Sequence, residues 1–591
     1  MIGKRLLHRV NIFKIRHLSG HRFLYILAIF VGLGAGLGAV IIKNLVHFIR
    51  EALENSFQGG EYTRYYIFIL PIMGIALVVL FIRYLNRQPV GHGIPGVLFS
   101  ISKNNGIIHH HNLYSSIITS ALTVGFGGSV GLEGPTVATG GAVGSNVGRL
   151  FKLGYKETTL LISCASAGAM SAIFKAPIAG IVFALEVIML DLTVWAIIPL
   201  LISSATAALT SYLFLGQNVL YSFQVTEAFR MGQIHYYLIL GAIVGMLSVY
   251  FTKTYVYITS FFEKIGNPWR RLVLAGGLLG IIIFFFPSLY GEGYEIVNQG
   301  LKGNFFQIFE GSFVEGWQNT FVLLALYILL VIGFKIVATT LSFAAGGIGG
   351  IFAPTLFMGA NTGLLFGLFL NRMGIDVSVS NMVLVGMAGM IAGAVHAPLT
   401  AIFLIAEITG GYELFFPLML ASTISYGTAR YFVKNSVYTV QLAERGELMT
   451  HHKDRNILLM MKVTELIETN FTPVKADNTL RDLVQVITRS SRNIYPVVDD
   501  RNNLQGIVKL DDIRHIMFNQ AMYDSTRIRD LMITPEWTIE ATDQMEEVAR
   551  KFSESGRFNI PILQNGRYLG FVSRAKVFSS YREMLRQFSD D

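Results

Sequence analysis

One motif is written twice in this chain, and that constrains its fold more than any other feature. Gly131-Leu132-Glu133-Gly134-Pro135-Thr136 aligns with Gly350-Ile351-Phe352-Ala353-Pro354-Thr355 at an offset of 219, after which Gly140, Gly144 and Gly148 meet Gly359, Gly363 and Gly367. A second pair agrees: Ala176-Pro177-Ile178-Ala179-Gly180-Ile181 through Glu186 aligns with Ala397-Pro398-Leu399-Thr400-Ala401-Ile402 through Glu407 at an offset of 221. Two motif pairs in the same order at nearly one offset define an internal repeat. Glycine-rich packing of a membrane bundle explains the glycines, but not the paired Pro-Thr and Ala-Pro…Glu. The motifs sit in short apolar segments interrupted by Gly and Pro. That is the pattern of inverted repeats whose broken helices meet at mid-membrane.

Composition places these repeats in lipid. Of 591 residues, 52% are hydrophobic and 14% charged, and the mean hydropathy of +0.51 lies outside the range of ordinary soluble domains. Residues 451–591 hold 20 Lys+Arg and 20 Asp+Glu, leaving 27 and 18 in the first 450, so the whole +9 excess falls in the apolar part. The tail has the charge density of a soluble module. The first 22 residues carry six Lys and Arg and no acidic residue before the uncharged run 23–42. The positive-inside rule therefore predicts a cytoplasmic N-terminus followed by a first spanning helix. Further apolar segments fall near 66–82, 114–127, 158–173, 177–190, 194–215, 236–252, 272–289, 320–334, 355–370, 382–395 and 398–428. Cys164 is the only cysteine, which excludes a disulfide framework or thiolate metal site. No basic stripe with interleaved aromatics suggests nucleic acid.

The tail repeats as well. Ile494-Tyr495-Pro496-Val497-Val498 followed by Gly506-Ile507-Val508 matches Asn559-Ile560-Pro561-Ile562-Leu563 followed by Gly570-Phe571-Val572. These are two small α/β units. The expected organisation is a basic cytoplasmic segment (1–22), a transmembrane domain (23–445, halves about 23–225 and 236–445), a linker (446–460), and tail domains at 461–518 and 525–585.

The motifs point to transport. No nucleophile elbow, Walker loop or dinucleotide fingerprint occurs, so an enzyme has no residues to stand on. In each half a Gly-rich turn opens a helix near the apolar middle, with Pro135 or Pro354 close to the first helical position. Unpaired backbone N–H groups and positive dipole ends converging there hold an anion without a full positive charge, and so release it again. A cation site would need carboxylates or carbonyls. Glu133 is the only acidic residue in these turns. An acidic side chain in such a place costs roughly 3 kcal/mol and is functional by default.

Gly91-His92-Gly93-Ile94-Pro95, Gly131-Leu132-Glu133-Gly134-Pro135, Gly350-Ile351-Phe352-Ala353-Pro354 and Ser436-Val437-Tyr438 resemble, in order and spacing, the anion-site motifs of the CLC family of chloride channels and chloride/proton antiporters. Gly291-Glu292-Gly293-Tyr294-Glu295 is similar to a family segment too. The resemblance covers residues 20–445, and the tail resembles the paired CBS domains of many CLC proteins. It implies an all-α polytopic membrane domain of about eighteen helices in two inverted repeats, then a cytoplasmic α/β CBS pair. It further implies a homodimer in the bilayer with one pore per subunit, chloride as substrate and no bound cofactor. By the same resemblance, the amides of Ile351 and Phe352 and the Tyr438 hydroxyl bind the central anion, with His92, Gly93 and Ile94 beside them. Glu133 is the gate, its carboxylate competing with chloride until protonated.

Four departures from the family pattern matter. Antiporters of this family usually carry a second, inward-facing glutamate where this chain has Val187, which cannot carry a proton. That favours a passive chloride channel over an antiporter, with the neighbouring Glu186 a structural residue or a substitute relay. The serine that usually helps coordinate the anion is replaced by His92. Leu132 stands in place of a Lys or Arg before the gate, so weaker anion attraction is expected. In the CBS-like pair, the Ser/Thr and Asp that contact adenine nucleotides are split between the copies, as Asp512 in the first and Ser573 in the second, which leaves nucleotide binding and a purely structural role both open. A distant third reading, a CBS-containing divalent-cation channel, lacks acidic sites in the membrane. The compact length fits a prokaryotic plasma membrane. His109-His110-His111 reads as a solvated loop, and Lys175 and His396 as matched helix ends reaching for water.

Overall fold

The computed structural model describes residues 20–57, 63–91, 93–188, 194–216, 229–302, 308, 312, 321–444, 458 and 461–589. It divides into two units, Met1–Leu448 and Met449–Asp591. Among the described residues the first unit has eighteen α-helices. The first half contains α1 (Gly20–Phe57), α2 (Thr63–Leu80), α3 (Ile94–Lys103), α4 (Asn112–Gly125), α5 (Glu133–Leu150), α6 (Tyr155–Phe174), α7 (Pro177–Phe183) and α8 (Val194–Leu215). The second contains α9 (Ile234–Glu263), α10 (Pro268–Arg271), α11 (Gly277–Phe285), α12 (Tyr294–Leu301), α13 (Phe321–Ala344), α14 (Phe352–Arg372), α15 (Val379–Val395), α16 (Pro398–Ile408), α17 (Phe415–Phe432) and α18 (Val440–Glu444). Eight of the described helices are long and apolar enough to cross a membrane.

The repeat read from the sequence governs the packing. α5 lies along α6 as α14 lies along α15, α1 packs on α8 as α9 packs on α17, and α6 meets α8 as α15 meets α17. The matched glycines explain how. A methyl group on Gly144 would stand 2.3 Å from the Leu161 carbonyl oxygen, and one on the equivalent Gly363 would stand 2.0 Å from that of Met382. Both helix pairs therefore pack backbone to backbone, the close approach that small residues permit in lipid.

Some elements differ from expectation. α1 runs 38 residues rather than ending near residue 42, and its last turns carry Lys43, His47 and Arg50. The apolar segment 398–428 is two helices, α16 and α17, because Gly410 turns left-handed (φ 70°) and the Gly411 amide closes on the Ala406 carbonyl at 3.1 Å. Hydropathy is blind to that break because both flanks are apolar. Lys175 and His396 do match, as left-handed C-caps of α6 and α15 (φ 55° and 61°). Lys175 is only 5% exposed, however, and its Nζ donates to the Gly216 carbonyl at 2.6 Å, tying down the end of α8 rather than reaching for water.

The second unit holds α19 (Leu480–Arg489), β1 (Ile494–Val498), β2 (Leu504–Lys509), α20 (Leu510–Ile513), β3 (Ile539–Glu540), α21 (Met545–Ser555), β4 (Asn559–Gln564), β5 (Arg567–Ser573) and α22 (Arg574–Ser589). β1 and β2 are antiparallel; β3 pairs parallel with β4, which pairs antiparallel with β5. Each copy has its own core, one around Leu480, Tyr495, Val497 and Val508 and the other around Ile539, Val548, Ile562 and Val572. Met461, Val463 and Leu466, expected to open the first copy, pack in the second core instead. Phe471, Val498, Ile507, Tyr568 and Phe571 seal the two together.

Candidate functional site

The two Gly-rich turns meet. Gly131 and Gly350 exchange backbone hydrogen bonds at 2.8 and 2.7 Å, forming an antiparallel bridge between the halves. A methyl group on Gly134 would lie 3.1 Å from the Gly350 Cα, and one on Gly93 would lie 2.7 Å from the Gly134 backbone. The first turns of α3, α5 and α14 are thus in contact. No side chain caps any of the three starts, so their leading amides keep the unpaired N–H groups common to helix N-termini. Ile351 precedes α14 and Phe352 opens it, both buried; Gly93 precedes α3 and Ile94 opens it. Tyr438 follows Val437, whose amide donates to the Ala394 carbonyl near the end of α15 at 3.0 Å. Its ring is 3% exposed and its hydroxyl is buried without a partner. His92 lies outside the described residues.

Glu133, 1% exposed, opens α5. The Tyr294 hydroxyl donates to its Oε1. Oε2 has no hydrogen-bond partner and folds back over the turn, 2.1 Å from where a Gly131 Cβ would stand and 3.3 Å from the corresponding point on Gly350. The carboxylate therefore sits on the bridge, beside the α14 start that would receive an anion. A pocket of about 180 Å³ reaches it, lined by Lys43, His47, Arg50, Leu132, Glu292 and Tyr294 among others. Beside Leu132 the pocket thus has basic side chains of α1 in its wall. Lys43 also donates to the Ile173 carbonyl at 2.6 Å.

Sequence reasoning passed over these cations and Lys335. The Lys335 side chain is fully buried in the middle of apolar α13, where its Nζ donates to Ser129 Oγ at 2.9 Å and the Gly291 carbonyl at 3.1 Å and lies 4.8 Å from the Phe357 ring centre. A lysine inside a 24-residue apolar helix was the available signal.

Glu186 and Val187 lie in the π-helical turn Ala184–Ile188 that extends α7. Glu186 Oε1 accepts from the Leu399 amide at 2.9 Å and Oε2 from the Thr400 amide at 2.7 Å and its hydroxyl at 2.6 Å. Its repeat mate does the reverse: Glu407 accepts from the amides of Ile178 at 3.0 Å and Ala179 at 2.8 Å. Each glutamate caps the helix start of the other half, satisfying orphan amides with a charge placed at the positive dipole end. Val187 is a partly buried side chain against the main core.

In the tail, a cleft of about 800 Å³ between the two copies is lined by residues that include Arg492, Lys509, Asp512, Trp537, Arg557 and Phe558. Asp512 faces it. Ser573 does not; its hydroxyl donates to Glu468, which also pairs with Arg492. Among the described residues no group of three or more His, Cys, Asp and Glu forms a metal site.

Comparison with known proteins agrees with this architecture. Residues 73–430 match the voltage gated chloride channel family, Voltage_CLC, and 463–519 and 528–583 each match the CBS domain. The chain belongs to the CLC family; it is a multi-pass membrane transport protein, not an enzyme. It is 30% identical over 387 residues to a putative chloride channel protein ClcB-like of Ralstonia nicotianae, covering 64% of this chain and 86% of that one. It is 28% identical over 411 residues to the H(+)/Cl(−) exchange transporter ClcA of Vibrio cholerae, covering 67% and 84%. Among solved structures, a slow cyanobacterial Cl−/H+ antiporter superposes with a TM-score of 0.62 at 22% identity, over 72% of this chain and 98% of that one. A eukaryotic CLC transporter superposes with a TM-score of 0.61 at 18% identity, over 94% and 99%. At these identities the structural likeness concerns the fold alone.

Proposed function

We propose that the protein is a gated chloride channel, carrying chloride down its gradient without moving protons in exchange. Val187 carries this reading: the position where antiporters of the family keep an inward-facing glutamate holds an aliphatic side chain. Glu186 is a poor substitute relay, since both its oxygens accept hydrogen bonds from the α16 start. Chloride would sit where the α3, α5 and α14 starts meet, held by the amides of Ile351 and Phe352 and the Tyr438 hydroxyl, with His92, Gly93 and Ile94 completing the site. Glu133 closes the path as an ionised competitor and opens it when protonated. The protein would act as a homodimer with one pore per subunit, in a plasma membrane, with N-terminus and tail in the cytoplasm. The tail cleft, rimmed by Arg492, Lys509 and Arg557 with Asp512 available to a ribose, supports a regulatory adenine nucleotide.

Chloride/proton exchange is the second reading, favoured by the exchanger names among the relatives. Purified protein in liposomes loaded with chloride separates the two. A channel releases chloride under a potassium/valinomycin shunt while internal pH stays flat. Proton entry against a gradient, driven by chloride efflux, would overturn the channel reading.

A further inference from the structure

The loop carrying Glu292 is built into the outer wall of the Glu133 pocket. The Gly291 amide donates to the Gly127 carbonyl at 3.0 Å, and Lys335 Nζ donates to the Gly291 carbonyl. Gly293 adopts φ 88°, where a methyl group would strike the Phe357 ring at 2.4 Å. These ties fix the two residues on either side of Gly293. Both then line the pocket with Glu133: Tyr294 bonds to the gate itself, and Glu292 is the second carboxylate. The Glu292 side chain is 12% exposed and stands 3.8 Å from the Arg50 guanidinium, whereas Glu133 is 1% exposed. The groups facing Glu292 are Lys43, His47 and Arg50 from α1, Glu133 from α5 and Lys335 from α13. From its own loop come Tyr294 and Tyr290, the latter within electrostatic reach of Arg50 and Glu54.

We propose that Glu292 is a positioning residue for gating, the more accessible half of a carboxylate pair that exchanges protons with the aqueous pocket and passes them to Glu133. A proton taken from bulk water lodges on Glu292 and moves to a pocket water as that water gives one to Glu133 Oε2. The pocket has room for several waters. Only O–H bonds are exchanged and nothing is oxidised. Arg50, 3.8 Å away, opposes the first step by favouring the ionised form of Glu292, while burial favours the protonated form. Two carboxylates that line one pocket influence each other's titration.

The proposal rests on Glu133 being the gate, so three variants are compared in liposomes at equal pH on both sides, reading chloride flux against pH. Glu292→Gln removes the negative neighbour of Glu133, so the pH of half-maximal flux falls by about one unit, and Glu292→Asp restores it. Arg50→Gln moves the midpoint the opposite way, which keeps the test decisive if Glu292→Gln does not fold. A midpoint unmoved in Glu292→Gln and Arg50→Gln, with flux merely scaled at every pH, overturns the proposal and leaves an ordinary ion pair. Glu133→Gln separates the two levels. If it retains the wild-type pH dependence, the gate reading fails; if it abolishes that dependence while Glu292→Gln has no effect, only the relay fails.

Discussion

At the turns around residues 186 and 407 the two halves carry the same residue and make the same contact in mirror order. At 133 and 352 the alignment places a glutamate opposite a phenylalanine, on the same kind of helix start. The first site keeps the symmetry of the repeat and does what symmetry allows: each half caps a helix of the other. The second breaks it, and the break leaves a buried carboxylate held on one oxygen by the Tyr294 hydroxyl and without a hydrogen-bond partner on the other. A buried polar atom without a partner costs about 1–3 kcal/mol, so the asymmetric position carries a cost that the capping pair does not.

The largest test of this contrast is Glu133→Gln, which should make chloride flux independent of pH between about 5 and 8, erasing a tenfold or greater wild-type ratio; liposome efflux checks it. Retention of a steep pH profile would mean that the asymmetric position is not the gate. Next come Glu186→Ala and Glu407→Ala. Each strips the acceptor from two helix-start amides, and Glu186→Ala also from the Thr400 hydroxyl, so each should destabilise the fold by roughly 1–3 kcal/mol, the Glu186 variant slightly more, seen as drops in thermal midpoint in detergent. Proton uptake lost in the Glu186 variant alone would break the symmetry and restore Glu186 as a relay. Tyr438→Phe should weaken chloride binding about fivefold, one hydrogen bond of roughly 1 kcal/mol, with the thermal midpoint without chloride nearly unchanged; calorimetric titration decides.

The smallest effect compares the same capping device in water. Asp482 in the tail closes a capping box with Thr479, whose amide and hydroxyl hold its carboxyl below the usual carboxylate range. A depressed carboxyl stabilises the fold above its unfolded value near 4 and loses that contribution as pH falls through the folded value. Asp482→Asn should therefore lower the tail's unfolding midpoint by a few degrees at pH 7, for a cap of about 1 kcal/mol, and the difference from wild type should narrow as pH falls below about 4.

The repeat, the anion-site turns, Glu133 and the matched glycines were legible because each is a local pattern that recurs at a fixed offset. The break of 398–428 into two helices was not, since one Gly-Gly pair inside an apolar run carries no hydropathy signal. Lys43, Arg50 and Lys335 were missed for a different reason. They lie far from the motifs in the chain, on α1 and α13, and only long-range packing brings them to residues 133 and 292. The capping partnership of Glu186 with α16 was likewise hinted at by its repeat mate, while its hydrogen bonds across some 213 residues needed coordinates. In the tail, the strand motifs announced two copies but not that the first residues cross into the second core.

That crossing sets a load path. Chain leaving the membrane domain enters the tail at Met461, Val463 and Leu466, which are anchored in the core of the copy that comes last in sequence. A pull on residue 461 therefore acts first on the core of the C-terminal copy. The N-terminal copy follows that anchor in the chain and is held to it through Phe471, Val498, Ile507, Tyr568 and Phe571, so a displacement of the anchor is passed on to both copies.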